Sequence, residues 1–451
     1  MTSDNQDMDM CNGPIFGKLV LFALPIMAMN ILQLMFNAAD LVVVGRFSGK
    51  EALAAVGATG SIINLIVNLF MGLSVGTSVV VAQDYGARNS EAVKKSVHTS
   101  IMVSMIAGIF VMILGIWLCN PMLIVMGTPM DIIDLSAVYM RIYFIGVPAS
   151  MVYNFGAAIL RAVGDSRRPM YFLIISGVVN VILNLYFVIV QHMSVDGVAW
   201  ATIISQYLSM FLILWCLIRY KMEVIRLNLG KLQMDRKKMV QIIRIGLPAG
   251  LQSMLFSISN VLIQSAVNSF GSSMVAASSA ASNIEGFVAT PMNAYYNAAI
   301  TFTGQNMGAK KYDRIDKIAK ICTILVFATW IVVGGLTMLF SRPLLSIFTS
   351  DSEVIRLGII RINVLMSLYF TCGIMNVYPG LSRGMGFSML PMLCTLVGAC
   401  LFRIVWLITI FAWFPTIFTL FACYPVTWAL AGIGQVLIFF YARKKVRQGI
   451  Q

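Results

Sequence analysis

The stretch Ala82-Gln-Asp-Tyr-Gly-Ala-Arg-Asn-Ser-Glu-Ala-Val-Lys-Lys95 recurs 222 residues later as Gly304-Gln-Asn-Met-Gly-Ala-Lys-Lys-Tyr-Asp-Arg-Ile-Asp-Lys317. Four residues of the first copy return unchanged in the second, namely Gln83, Gly86, Ala87 and Lys95. The spacing is close to half of the 451-residue chain. The sequence therefore predicts two copies of one structural unit.

The repeat extends well beyond this stretch. Leu24-Pro25 matches Leu247-Pro248, and Arg161, Gly164 and Pro169 match Arg383, Gly386 and Pro391. A long internal repeat in a very apolar chain is typical of membrane carriers built from two similar halves.

The composition excludes an ordinary soluble domain. Hydrophobic residues make up 59% of the chain and charged residues only 11%, whereas soluble domains carry about 25% charged residues. Apolar runs long enough to cross a bilayer, which takes about 20 residues, occur twelve times. They lie near residues 17–44, 52–82, 97–119, 135–160, 169–190, 198–218, 246–269, 275–304, 321–341, 357–382, 391–413 and 417–441.

The net charge of +14 comes from basic residues on one side of the predicted membrane. They cluster in the two repeated turns, in the stretch 219–245 and in the C-terminal tail, while the loops near 120–134, 192–197, 270–274 and 414–416 have no Lys or Arg. This distribution predicts that both termini are cytoplasmic. Binding of nucleic acid is the weaker interpretation, because no basic stripe with interleaved aromatic residues lies outside these helix-flanking turns.

The patterns together predict an all-α integral membrane protein with twelve transmembrane helices in two six-helix lobes. Since each half has an even number of helices, the two lobes should be related by a pseudo-two-fold axis along the membrane normal. The predicted segments are a cytoplasmic tail 1–13, a first lobe 14–218, a cytoplasmic linker 219–245, a second lobe 246–441 and a cytoplasmic tail 442–451. We expect the substrate cavity between the lobes.

Asp40 is the most informative polar residue of the first lobe. It lies late in the first apolar run, with Asn37 three residues earlier on the same helix face. Burial favours the neutral carboxyl and a nearby cation favours the carboxylate, so an acid between these limits can exchange an ion for substrate. The alternative is an acid at a helix end that reaches water or pairs with Arg46.

Three further residues supply oxygen atoms that suit a hard cation. Asn180 and Asn184 are four residues apart on the fifth run, and Thr202 begins the sixth. The second half does not repeat this set, because Asp40 aligns with Ile263. The sequence therefore predicts that ion coupling belongs to the first lobe alone.

Polar residues inside other apolar runs are candidates for the wall of the substrate cavity. They are Gln33, Asn154, Gln252, Asn260, Glu285, Asn293 and Asn376. For Glu285, contact with substrate and an internal salt bridge stand as equal alternatives. Arg403, inside the eleventh run, is interpreted as structural rather than as a substrate contact.

The ordered motifs resemble one known family along essentially the whole chain, the multidrug and toxic compound extrusion (MATE) transporters. The motifs are Asp40 before Val44-Gly45, Gln83-Asp-Tyr-Gly-Ala-Arg88, Arg161-Ala-Val-Gly-Asp165, Gly197-Val-Ala-Trp-Ala-Thr202, Gly246-Leu-Pro-Ala-Gly250, Asn283-Ile-Glu285-Gly and Gly304-Gln-Asn-Met-Gly-Ala309. The resemblance implies a bacterial inner-membrane antiporter that expels amphipathic, often cationic, compounds in exchange for inward Na⁺ or H⁺.

The resemblance also implies a cation site, with Asp40 as its acid and Asn180 and Thr202 as partners, where Na⁺ could bind. One branch of the family usually has a second acid where this chain has Asn184. The missing charge should weaken Na⁺ affinity, so the choice between Na⁺ and H⁺ stays open.

Two other classes of function were weighed. A flippase for a lipid-linked precursor should line its cavity with several basic residues, and Arg403 is the main deep cation in the runs. A membrane enzyme is disfavoured because the runs lack a histidine cluster, a Ser/His/acid set and paired carboxylates. We expect a monomer that acts on small drug-like molecules in the bilayer, with no nucleic-acid partner and no cofactor apart from the coupling ion.

Overall fold

The computed structural model describes residues 8–449, and every regular element in that range is a helix. The helices of the first half are α1 Ile15–Ser48, α2 Gly49–Gly86, α3 Ser90–Val125, α4 Ile133–Ala162, α5 Arg167–Val190 and α6 Val195–Ile218. Those of the second half are α7 Arg236–Asn268, α8 Ser272–Gly308, α9 Tyr312–Leu339, α10 Ser352–Ser367 plus Tyr369–Gly384, α11 Met389–Phe411 and α12 Ile417–Arg447. A single turn Leu229–Lys231 and a short helix Ser341–Ser346 complete the described elements.

Most of these helices are apolar and long enough to cross a membrane. Within the described residues ten helices meet both conditions, and α10 makes an eleventh span if its two parts, bent by 51°, count as one. The remaining helix, α8, has 37 residues but is too rich in Ser and Asn to pass as apolar. The all-helical fold of two repeated halves, predicted from the sequence, is confirmed, although one predicted span is broken and one is polar.

Side chains at the helix starts explain where several helices begin. The Asn89 side chain accepts the N–H of Ala92 at 3.0 Å at the start of α3. Asp351 accepts the N–H of Glu353 at 2.8 Å at the start of α10. Such caps satisfy N–H groups that a helix leaves without partners in its first turn.

The described chain divides into two compact units. Unit 1 consists mainly of residues 24–250, and unit 2 of residues 10–23 together with 251–449. The divisions fall beside the repeated prolines Pro25 and Pro248, so the start of α1 belongs to unit 2 and the start of α7 to unit 1. Unit 1 also contains the predicted linker 219–245. The predicted lobe bounds 14–218 and 246–441 stay a prediction.

The first repeated turn binds the segment that leads into α7. Lys238 Nζ donates to both carboxylate oxygens of Asp84, at 2.7 and 2.6 Å, and the backbone N–H of Asp235 donates to Thr99 Oγ1 at 3.0 Å. The Asp235 carboxylate accepts the N–H of Lys238, and this hydrogen bond lowers the pKa of Asp235. The turn therefore fixes the start of α7 within unit 1.

The second repeated turn binds the segment that leads into α1. Asn306 Nδ2 donates to the carbonyl of Met10 at 3.1 Å, and Arg314 Nη2 donates to the carbonyl of Gly13 at 3.1 Å. The backbone repeats as well, because Arg88 and Lys310 occupy equivalent positions with φ of 55° and 56°. Both copies of the turn thus hold the start of the first helix of the other half.

Two glycines of α2 allow a close approach to α7 inside unit 1. A Cβ on Gly72 would lie 2.1 Å from the backbone nitrogen of Gly250, and one on Gly76 would lie 2.2 Å from the carbonyl oxygen of Ile242. The Gly-x-x-x-Gly spacing of α2 therefore serves packing within the chain.

Replacing Gly72 by Ala should destabilise the protein, because the added methyl group would meet the backbone of α7 rather than a flexible side chain. Overpacking of this kind costs about 1–3 kcal/mol. The midpoint of thermal unfolding in one detergent should fall for Gly72→Ala. Gly57→Ala, also in α2 but with no atom within 4 Å of the added Cβ, is the control. Equal midpoints for the two variants would contradict the proposed backbone contact.

Candidate functional site

The packing of α1 on α5 places the predicted coupling residues side by side in unit 1. The ring of Phe36 occupies the space beside Gly177, where a Cβ would lie only 1.9 Å from the ring. One turn further along α1 is Asp40, and Asn180 and Asn184 follow Gly177 by one and two turns of α5. Because Gly177 has no side chain, α1 can approach α5 closely, and Asp40 lies beside the amide side chains of Asn180 and Asn184.

Asp40 is hydrogen-bonded to Asn184, which donates to Asp40 Oδ1 through Nδ2. The same amide nitrogen donates to Asn180 Oδ1 at 3.3 Å. Asn180 and Asn184 are 5% and 1% exposed, and Asp40 is partly buried. Among the described residues Asn184 Oδ1 has no hydrogen-bond partner, so the site combines a carboxylate with a buried amide oxygen. Of the two sequence alternatives for Asp40, the structure shows it inside the unit, bonded to an amide rather than to Arg46.

Two other predicted coupling residues stand apart from this group. Asn37 is exposed on α1, and the Thr202 hydroxyl donates to the carbonyl of Val198 on its own helix at 2.9 Å. Of the predicted Na⁺ ligands, Asp40 and Asn180 are therefore linked to each other through the amide of Asn184. The hydroxyl of Thr202 is bonded within its own helix instead.

Two tyrosines of α4, missed in the sequence, belong to the surroundings of Asp40. Tyr139 packs against the buried cluster that contains Val43 and Val44, one turn beyond Asp40 on α1, and the ring centroids of Tyr139 and Tyr143 are 6.2 Å apart. Their spacing of four residues puts both rings on one face of α4. That spacing of hydroxyl groups within a predicted span was the available signal.

The main ion pair of unit 2 joins Glu285 of α8 to Arg361 of α10. Arg361 donates from Nε and Nη2 to the two carboxylate oxygens, each at 2.9 Å, and from Nη1 to Ser278 Oγ. Both side chains are largely buried, with 15% and 6% of their surface exposed. The structure thus shows the salt-bridge alternative for Glu285. Arg361 lay inside a predicted apolar run, and its charge there was the overlooked signal.

Arg403 of α11 is fully buried without a carboxylate contact among the hydrogen bonds of the described residues. It donates from Nη1 to Asn260 Oδ1 at 2.8 Å and from Nε to Thr427 Oγ1 at 3.3 Å. The guanidinium carbon lies 4.7 Å from the ring centroid of Phe256 and 4.8 Å from that of Tyr424. Neutral oxygens and aromatic faces therefore surround this cation and connect α7, α11 and α12.

The remaining predicted cavity residues are divided between the two units. In unit 1, Gln33 is exposed, and Asn154 donates to the carbonyl of Ser150 at 2.7 Å. In unit 2, Gln252 accepts from Arg383 Nη2 at 2.6 Å. Asn293 is exposed, and Asn376 donates to the carbonyl of Cys372 at 2.8 Å. Their assignment to a substrate cavity stays a prediction.

Comparison with known protein families shows which family the chain belongs to. The MatE family model matches residues 25–186 and again residues 248–409, so the two matches follow the two halves of the repeat. The chain belongs to the MATE family. It is a multi-pass membrane protein of a family of multidrug efflux transporters.

The curated relatives match over most of their length. The probable multidrug resistance protein YoeA of Bacillus subtilis is 28% identical over 387 residues, which cover 84% of this chain and 83% of the relative. The probable multidrug resistance protein NorM of Thermotoga maritima is 25% identical over 385 residues, 84% of this chain and 82% of the relative. A protein named FAD transporter from Shewanella oneidensis is 25% identical over 375 residues, 81% and 82% of the two chains.

Solved MATE structures share the fold. A crystal structure of a MATE protein in complex with MaL6 has a TM-score of 0.89 at 22% identity and covers 99% of both chains. An outward-facing multidrug resistance MATE transporter has a TM-score of 0.89 at 23% identity, covering 99% of this chain and 98% of that one. The predicted MATE membership is confirmed, and these comparisons give no support to the alternative of a lipid-precursor flippase.

Replacing Asn184 by Asp should strengthen Na⁺ binding in unit 1. The variant would set a second carboxylate against Asp40, and a cation between them would relieve their repulsion. The Na⁺ concentration needed to raise the midpoint of thermal unfolding should be about tenfold lower for the variant than for wild type. Choline replaces Na⁺ in the reference measurement. Asn154→Asp makes the same chemical change elsewhere in unit 1 and should not alter the Na⁺ response. An identical response of both variants would argue against a cation site at Asp40.

Replacing Glu285 by Gln should destabilise unit 2, because Arg361 would lose its carboxylate while remaining buried. Breaking a buried pair on one side costs about 3–5 kcal/mol. The thermal midpoint should fall sharply for Glu285→Gln and recover in the double variant Glu285→Gln, Arg361→Met. Glu353→Gln, which changes an exposed acid of α10, is the control. A neutral effect of Glu285→Gln would show that the ion pair does not hold α8 and α10 together.

Proposed function

We propose that this protein is a secondary active antiporter, which exports amphipathic compounds, cationic ones among them, in exchange for inward Na⁺ or H⁺. The proposal places it in the bacterial inner membrane with both termini cytoplasmic, working as a monomer by alternating access between two lobes. Membership of a multidrug efflux family supports the export of small molecules.

The observation that carries ion coupling is the hydrogen-bonded group of Asp40, Asn184 and Asn180 within apolar helices. A carboxyl group at this depth can take up a proton or a cation, and either event changes its hydrogen bonding to Asn184. Because Asn184 belongs to α5 and Asp40 to α1, the change acts directly on the packing of these two helices. Ion uptake would thereby alter unit 1 and release the bound compound.

The asymmetry of the repeat supports one coupling site per molecule. Ile263 of α7 stands where α1 has Asp40, and Phe402 and Trp406 stand where α5 has Asn180 and Asn184. One charge moving down a membrane potential of 100 mV supplies about 2.3 kcal/mol. At about 1.4 kcal/mol for each tenfold ratio, this energy sustains a concentration ratio of roughly 50.

Replacing Asp40 by Asn should abolish gradient-driven export, because the amide can neither release a proton nor neutralise Na⁺. Efflux of a cationic dye from proteoliposomes, with a Na⁺ gradient and a pH gradient imposed separately, measures this and names the ion. We expect Asp40→Asn to lose nearly all gradient-dependent efflux while it inserts and unfolds like wild type.

The exposed acid Asp131, in the loop before α4, offers the matched control. Asp131→Asn makes the same chemical change and should export dye at the wild-type rate. If Asp40→Asn also exported dye at that rate under both gradients, the coupling role of Asp40 would be refuted.

A further inference from the structure

A polar stripe runs along the exposed side of α7 in unit 2. Its members recur at intervals of three and four residues, so they share one helix face. They are Ser253, Ser257, Asn260 and Gln264, all exposed or partly exposed. The exposed apolar residues Val261, Ile258 and Leu262 lie to one side of the stripe, about 70°, 130° and 170° from its centre at roughly 100° per residue.

A helix with one apolar and one polar exposed side contacts two different solvents. Hydrocarbon suits the side of Ile258 and Leu262, whereas the donors and acceptors of the stripe that are not already bonded along α7 would lack partners in hydrocarbon. Water therefore accounts for the polar stripe. The neighbouring helix α8 agrees, because its exposed residues include Ser279, Asn283 and Asn293 and its composition is too polar for a lipid-embedded helix.

Arg403 lies directly behind the centre of this wetted stripe. Its Nη1 is 2.8 Å from Asn260 Oδ1, and the guanidinium itself is 0% exposed. Ser259 Oγ, at 3.4 Å from Nη1, is a further neutral acceptor. Within the residues that the structure describes, Arg403 Nη2 has no hydrogen-bond partner.

The largely buried acid Glu285 of unit 2 does not neutralise the charge of Arg403. The guanidinium carbons of Arg361, the partner of Glu285, and of Arg403 lie 5.9 and 4.8 Å from the ring centroid of Tyr424, so the ion pair and Arg403 share a neighbour. Both carboxylate oxygens of Glu285 are nevertheless bound by Arg361 at 2.9 Å. Within the described part of the chain Arg403 therefore keeps a positive charge without an acidic partner behind the wetted face, a costly arrangement inside a membrane protein that points to a functional site.

We infer that the face of unit 2 around Asn260 binds the acidic group, a carboxylate or a phosphate, of an exported compound. This inference rests on the proposed export function and specifies one class of its substrates. The Asn260 side chain is exposed while its oxygen accepts from Arg403, so its amide N–H groups can donate to an anion on the wetted side. The amide thus transmits the charge of the buried guanidinium, because hydrogen bonds in a chain polarise one another.

Aromatic rings beside Arg403 suit the rest of such a compound. Phe256 and Tyr424 are both partly exposed and flank the guanidinium at 4.7 and 4.8 Å. A planar aromatic compound could pack on these rings while its acidic group meets Asn260. Unit 1 has no equivalent charge in the sequence, because Val181 occupies the position that corresponds to Arg403.

Binding of two pairs of fluorescent probes to the purified full-length protein tests the subsite. Flavin mononucleotide and riboflavin differ by a phosphate, and fluorescein and rhodamine 6G share a xanthene ring but carry opposite charges. We expect each acidic probe to bind about tenfold more tightly than its partner. A preference in one pair alone identifies phosphate or carboxylate as the preferred group and still supports the subsite.

The decisive variant is Asn260→Asp, which gives Arg403 a carboxylate partner in nearly the same shape and should not impair folding. It should weaken binding of the acidic probes about tenfold and leave riboflavin binding unchanged. Asn363→Asp makes the same chemical change at an exposed residue of α10, outside the proposed subsite, and should change acidic-probe binding by less than about threefold. The inference is overturned if neither acidic probe is preferred, or if both variants weaken binding equally.

Gradient-driven dye efflux by the wild-type protein separates this inference from the proposed function. Efflux of rhodamine 6G without any preference for acidic probes would refute only the acidic subsite. Tight binding of flavin mononucleotide without gradient-driven efflux of any probe would refute the antiport proposal and leave the subsite standing.

Discussion

A polar group inside a bilayer has no bulk water to hydrogen-bond with, so it needs a partner within the protein, and this constraint determines much of the structure. It restricts the described chain to helices, whose backbone groups bond within each segment. It also requires a partner for each charge in the spans. Asp40 is bound by Asn184, and Glu285 by Arg361. Arg403 meets the constraint only in part, because its partners are neutral.

The two halves keep the same framework and differ in their buried charges. Each repeated turn holds the start of the first helix of the other half, through Asp84 and Lys238 in unit 1 and through Asn306 and Met10 in unit 2. The framework is therefore duplicated in contacts as well as in sequence. The interiors have diverged, since unit 1 holds an acid among amides and unit 2 holds an excess of basic charge. An exporter of this kind can separate ion chemistry from recognition of its substrates.

Much of the fold was predictable because hydrophobicity and repetition are written along the chain. The apolar runs located the helices, and the repeat exposed Asp40 as a residue without a counterpart. The pairing of Asn180 and Asn184 followed from helical spacing alone. The spacing of Tyr139 and Tyr143 and the charge of Arg361 were visible in the sequence, but neither indicates which group the side chain faces, because tertiary packing sets that. The break in α10 was likewise not visible in the apolar run, whereas the polarity of α8 is written in its Ser and Asn content.

The sequence by itself determined that this chain is a duplicated, all-helical membrane protein whose first half carries an acid, Asp40, that the second half does not repeat. These properties can be predicted from the sequence because helices in lipid require long apolar runs and because the two halves of the chain repeat the same residues. Only the tertiary structure decided which group binds each buried charge. Asp40 and Asn184 are 144 residues apart and Glu285 and Arg361 are 76 apart, and such pairs meet only when the rotation and register of separate helices are set by packing, as at Gly177 and Phe36.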